Sequence, residues 1–151
     1  MLIQSKYFGE ITIEDKDIIH FSSGIPGFPE EKQFVILPIE NSVFFIMQSV
    51  NNEHVAFVIV EPFIFFPQYE FDLPEVERVK LTIEKEEDVA VFVILTIGNP
   101  IENTTANLQA PVIINQNQKL GKQMILQNHD FSTKEPIYKK IASTSKGGSS
   151  C

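Results

Sequence analysis

Val89-Ala90-Val91-Phe92-Val93-Ile94-Leu95 is the longest apolar run in this 151-residue chain. Read as a strand, it places Val89, Val91, Val93 and Leu95 on one face and Ala90, Phe92 and Ile94 on the other. Both faces are apolar, so both must be covered. A strand crossing the middle of a strongly curved sheet or a closed barrel, with a helix or loop packed outside, meets that need. A parallel α/β fold would also cover both faces, but it needs crossover connections of about a dozen residues, and few segments qualify.

Working outward, period-2 patterns rich in β-branched and aromatic residues run from residue 1 to about 126, punctuated by Pro and Gly. Strands are expected at Phe8 to Ile13, Asp17 to Phe21, Phe34 to Pro38, Phe44 to Ser49 and Val55 to Val60. Further strands are expected at Val89 to Ile97, Thr105 to Asn115 and Gln123 to Gln127. That number suffices for a barrel or a sandwich. The best helical segment is Pro74 to Leu81, where Val76, Val79 and Lys80 follow i, i+3, i+4 spacing behind Glu75 and Glu77. A second turn is expected around Glu84 to Asp88. Gly24-Ile25-Pro26-Gly27 and Pro29 form a hinge, and Asn115 to Gly121 reads as a polar hairpin loop with Gly121 in the left-handed position.

The fold class is therefore mainly β, a single domain over residues 1–138 with one or two short helices. Residues 139–151, ending Ser143-Thr144-Ser145-Lys146-Gly147-Gly148-Ser149-Ser150-Cys151, are expected to form a flexible tail. No run approaches the roughly 20 apolar residues of a membrane helix. The first residues lack the pattern of a signal peptide, and one Cys makes no internal disulfide. A cytoplasmic protein is expected. The net charge of −8 disfavours a nucleic-acid partner and suits a basic protein.

Sites of chemistry do not emerge. His20, His54 and His129 lie far apart, Ser49 and Ser132 lack a G-x-S-x-G elbow, and Gly24-x-x-Gly27 lacks the Lys and Ser/Thr of a phosphate loop. No catalytic residue, metal or cofactor is expected. What remains is Pro62-Phe63-Ile64-Phe65-Phe66-Pro67-Gln68-Tyr69-Glu70-Phe71-Asp72. Strand alternation would group Phe63, Phe65, Pro67, Tyr69 and Phe71 on one side, with Phe63, Phe65 and Phe71 in the core. Phe66 and Tyr69, beside Pro67 and ahead of carboxylates, make a binding edge. From Glu70 to Asp88, eight carboxylates stand against Arg78, Lys80 and Lys85, so this segment would attract a basic partner.

The ordered motifs resemble the flagellar assembly factor FliW family. Tyr7-Phe8-Gly9-Glu10-Ile11, Gly24-Ile25-Pro26-Gly27-Phe28, Phe34-Val35-Ile36-Leu37, Met47-Gln48-Ser49-Val50 and Ala56-Phe57 are similar to its N-terminal half. Pro62-Phe63 with Phe66-Pro67-x-Tyr69-x-Phe71 is similar to its centre. Asn107-Leu108-x-Ala110-Pro111-Val112-Ile113-Ile114-Asn115 and Gly121-x-Gln123-x-Ile125-Leu126 are similar to its C-terminal half. The resemblance spans roughly residues 1 to 137. Phe131-Ser132-Thr133-Lys134-Glu135-Pro136 follows the family's ending only in part.

The resemblance implies an antiparallel β-barrel-like, non-enzymatic protein with two competing partners. It would bind flagellin, and when free of flagellin it would bind the RNA-binding regulator CsrA and relieve repression of flagellin mRNA translation. A monomer is expected when it is alone. For the CsrA-facing surface the expected residues are Phe66, Pro67, Tyr69, Glu70, Asp72, Glu75 and Glu77; for flagellin they are Phe45 and Ile101. Two other classes stay open: a general chaperone or scaffold, which would capture many unfolded proteins, and an enzyme of small anionic or sugar substrates, which would need a convergent polar pocket.

Overall fold

The structure is a computed structural model and describes residues 1–127 and 130–138. Along the chain lie β1 (Leu2–Ser5), β2 (Gly9–Thr12), β3 (Ile19–His20), β4 (Gln33–Pro38), β5 (Phe44–Ser49) and β6 (Ala56–Val60). The helix α1 (Glu75–Lys80) follows, then β7 (Val89–Thr96), β8 (Thr105–Ala106), β9 (Val112–Asn115), β10 (Leu120–Gln123) and β11 (Glu135–Pro136). The expected flexible tail, residues 139–151, lies outside the described residues.

Seven strands close a barrel in the order β7-β6-β5-β4-β3-β10-β9, with β9 returning to β7. The pairs are antiparallel except β3 with β10, which run parallel where Leu120 faces His20. That one parallel pair departs from a uniformly antiparallel barrel. It follows from the strand number: seven strands cannot alternate direction all the way round a closed ring, so one adjacent pair must run parallel.

The double-faced apolar run is β7, and each of its faces is covered. Ala90, Phe92 and Ile94 point inward with Phe21, Phe34, Met47, Ile59 and Val112. Phe21 and Phe34 meet edge to face at 5.3 Å between ring centres, a favoured aromatic geometry. On the outer face, Val89 and Val91 pack with Leu81, Ile83, Ile113 and Met124, while Val93 and Leu95 lie beneath Phe66, Tyr69 and Leu108. A separate hairpin, β1–β2, covers the outside of β4 and β5 through Ile3, Ile13, Val35 and Val50. Fully buried Gln48 fastens it: its Oε1 accepts from the Lys6 N–H at 2.9 Å, while its Nε2 donates to the Ser49 carbonyl at 3.1 Å.

Three expectations are corrected. The strand expected over Thr105 to Asn115 is two strands, β8 and β9. Asn107 Oδ1 accepts from the N–H groups of Gln109 and Ala110, and Pro111 has no N–H to give. β8 pairs with Leu95 and Thr96 and β9 with Val89 to Phe92, so one edge of β7 serves both a side ribbon and the barrel. The last expected strand begins earlier, at Leu120, although Met124 and Leu126 still donate to Pro111 and Gln109 carbonyls. In the β9–β10 turn it is Lys119, with φ 56°, that is left-handed. Gly121 is instead a strand residue whose missing side chain makes room for Phe21: a Cβ there would stand 2.6 Å from the ring.

A candidate acidic docking face

The aromatic segment after β6 is not a strand. Pro62 begins a 3-10 turn over Pro62–Ile64, the Phe66 N–H reaches the Pro62 carbonyl at 2.8 Å, and the Tyr69 N–H reaches the Phe66 carbonyl at 2.9 Å. Turns of this kind bury residues three and four apart, so Pro62, Phe66 and Tyr69 go inside together. Phe63 is 44% exposed, Ile64 50%, and Phe65 and Phe71 are half-buried. Expected core Phe63 is thus at the surface, and the expected surface rings Phe66 and Tyr69 are core.

Tyr69 is the centre of that core. Its ring meets Phe131 edge to face at 5.0 Å and lies 5.5 Å from Phe71 and 6.0 Å from Phe63. Its hydroxyl donates to the Leu108 carbonyl at 2.6 Å. Burial pushes the phenol well above its ordinary value, because the phenolate would lose its hydration there. These are the marks of a structural tyrosine.

Beyond Tyr69 the chain crosses the outside of β7, β9 and β10 and enters α1. Glu70, Asp72 and Pro74 point to solvent while Phe71 and Leu73 are half-buried, so the connector alternates like an extended strand. Among the described residues Glu70 and Asp72 have no ion-pair partner. Glu75 is exposed and lies 3.7 Å from Arg78. Glu77 is different: Lys122 Nζ donates to both of its carboxylate oxygens, at 2.7 and 2.8 Å, and the two side chains are only 18% and 26% exposed. Its charge is already answered within the chain.

The helix turns its apolar side chains outward. Val76 and Val79 are 63% and 65% exposed, whereas Glu77 faces the sheet to meet Lys122. Leu73 and Leu81 at the two ends, not the valines, anchor it. Within Glu75-Val76-Glu77-Arg78-Val79-Lys80 the two valines are the only apolar residues, and Ile83, next at that spacing, falls beyond the helix, so no core-facing stripe is completed on it. Pro67, also expected here, is exposed at the turn. The structure therefore brings Glu70, Asp72 and Glu75 to one accessible acidic face near Phe63, and withdraws Phe66, Tyr69 and Glu77 from it.

The residues expected for the second partner separate as well. Phe45 turns into the barrel, edge to face with Phe92 at 5.6 Å, because its neighbour Phe44 takes the outward position in β5 and stacks on Phe65. Ile101 is 57% exposed on the far side of β8. There it lines, with Ile97, Phe44 and Tyr138, an almost wholly apolar depression of about 190 Å³. Among the described residues no group of three His, Cys, Asp or Glu side chains is placed to hold a metal ion. No helix there is long and apolar enough to cross a membrane.

The family model described as FliW protein matches residues 2–137 of the chain. A flagellar assembly factor FliW from Geobacillus thermodenitrificans (strain NG80-2) is 52% identical, with 94% of this chain and 99% of the relative aligned. One from Bacillus subtilis (strain 168) is 49% identical over the full length of both. A crystal structure of the flagellar assembly factor FliW superimposes with a TM-score of 0.90 at 50% identity, covering 93% of this chain and 99% of that one.

Proposed function

The chain belongs to the FliW family, and from that premise we propose that it is a flagellar assembly factor working by protein binding alone, with flagellin and the RNA-binding regulator CsrA as alternative partners. Bound to CsrA, it relieves repression of flagellin mRNA translation; bound to flagellin, it leaves CsrA free to repress. The protein acts in the cytoplasm, where both partners are made, as a monomer between encounters.

One observation carries the CsrA half of this reading. Glu70, Asp72 and Glu75 stand unburied on one outer face of the barrel, beside exposed Phe63, in a segment where eight carboxylates outnumber three cations. A protein that holds RNA phosphates is basic, so this face attracts it over long range and orients its approach. Long-range attraction raises the association rate more than the affinity, and it weakens with salt.

Reversing Glu70 and Asp72 to Lys tests the reading. Titration calorimetry against CsrA is expected to show at least a tenfold loss of affinity in a variant that melts like the parent. Unchanged affinity would remove this face from the interface. For flagellin, the apolar depression around Ile101 is the accessible candidate, since unassembled flagellin carries apolar surface of its own. Challenging a preformed complex of this protein and CsrA with flagellin, followed by size-exclusion chromatography, is expected to release CsrA.

A further inference from the structure

The connector from Glu70 to Leu73 has the geometry of a strand but, among the described residues, no strand hydrogen-bonded to it. Its exposure alternates strictly from buried Tyr69 through Glu70, Phe71, Asp72 and Leu73 to exposed Pro74. Leu73 is further confined to extended backbone by the proline after it. Phe71 and Leu73 hold it down, packed with Ile83, Val89, Val91 and Met124 on the outer face of the sheet.

Yet no backbone N–H or carbonyl of Glu70, Phe71, Asp72 or Leu73 is hydrogen-bonded to any described residue. The Tyr69 N–H reaches Phe66, and the next bonds begin at the Pro74 carbonyl, which accepts from Glu77 and Arg78. Strand edges with unpaired backbone groups are templates for another strand, and proteins usually cover or blunt them.

Space is present on both flanks. One open cleft of roughly 600 Å³ lies between the connector and Met124 to Gln127, and another of roughly 470 Å³ between it and Ile83, Glu86 and Val89. Exposed apolar groups stand at these clefts, Ile125 in the first and Phe63 in the second.

We propose that residues 70–73 are a docking edge onto which a basic partner adds an extended segment as a β-strand. This rests on the reading of the acidic face as the CsrA-facing surface and specifies how that surface is used. Main-chain hydrogen bonds to the connector supply the adhesion, over about 13 Å at the usual rise per strand residue. Side chains of the added strand alternate. Those on the solvent side are Lys or Arg, standing across from Glu70 and Asp72, and those on the sheet side are apolar and enter a flanking cleft. Pro74, without an N–H, ends the edge and fixes its register.

The exchange measurement uses the wild-type chain, and the Glu70→Lys with Asp72→Lys variant, checked to melt like the parent, serves only to test the acidic face. Amide exchange with solvent at Glu70, Phe71, Asp72 and Leu73 is followed residue by residue by NMR, first alone, then with saturating CsrA, then with saturating flagellin. In the free protein these four amides are expected to exchange quickly, having no acceptor among the described residues. With CsrA, at least two alternate amides of the four are expected to slow tenfold or more. If none slows while Glu70→Lys with Asp72→Lys still weakens CsrA binding, strand addition is overturned and the acidic face stands. Loss of neither binding nor exchange overturns both. Slowing by flagellin but not by CsrA also overturns the proposal, because it gives the edge to the wrong partner.

Discussion

Replacing Lys122 with Met would leave the Glu77 carboxylate in place with its neighbour gone. In the structure Lys122 Nζ sits within 2.8 Å of both Glu77 oxygens, and the two side chains are 26% and 18% exposed. An exposed ion pair contributes about 0–1 kcal/mol, while removing one partner of a fully buried pair costs about 3–5 kcal/mol. Burial of roughly four-fifths places K122M between these, at about 2 kcal/mol. For a domain of this size that is a fall of about 4–8 °C in the unfolding midpoint. E77Q should cost less, about 1 kcal/mol, since the Lys122 ammonium can swing toward water on its flexible stem. The double variant K122M/E77Q should recover part of the loss. Urea and thermal unfolding of the four proteins complete a double-mutant cycle with an expected coupling of about 1–2 kcal/mol. A K122M protein within about 0.5 kcal/mol of the parent would instead make Glu77 effectively a solvated carboxylate free for a partner. By the same logic, E77Q is expected to bind CsrA within about twofold of the parent.

Tyr69 makes stability sensitive to alkali. Its phenol is raised in the fold, so its contribution is complete below the unfolded value near 10 and is lost as pH climbs toward the folded value; stability followed by urea unfolding should fall above pH 10. Y69F should remove that fall while costing about 1–2 kcal/mol at neutral pH, because the Leu108 carbonyl loses its donor. Gly121→Ala should cost about 1–3 kcal/mol in thermal unfolding, since the new methyl meets the fully buried Phe21 ring at 2.6 Å. Ile101→Asp should lower flagellin affinity about tenfold in calorimetry with CsrA binding and melting unchanged; equal binding of flagellin would take the apolar depression out of the interface.

The barrel was legible in Val89 to Leu95 because a strand with two apolar faces has few places to go, and the structure covers each face with a different cluster. β5 was equally plain, with the same bounds in sequence and structure. The aromatic segment misled because alternation and helical spacing both fit a run so rich in rings. Pro62 at the first turn settled the matter locally, and burial then followed spacings of three and four. Phe44 and Phe45 are indistinguishable by composition, and only the register with β6, Phe45 opposite Ile59, decides which one enters the barrel. β1 and β11 were missed because four and two residues carry too little periodicity to stand out. Glu77 and Lys122 are 45 residues apart, so their pairing had no local signature.

The closure of the barrel has a consequence for the order in which the chain acquires its shape during synthesis. β4, β5, β6 and β7 form a meander of neighbours in sequence, and their contacts can assemble as they leave the ribosome. β3 must wait for β10, since His20 meets Leu120 a hundred residues later, and β7 must wait for β9. Until about residue 123 has emerged, the nascent sheet has two open margins and an uncovered apolar side. A fragment ending before Val112 would keep those margins permanently, and two such fragments would be expected to join edge to edge rather than stay apart.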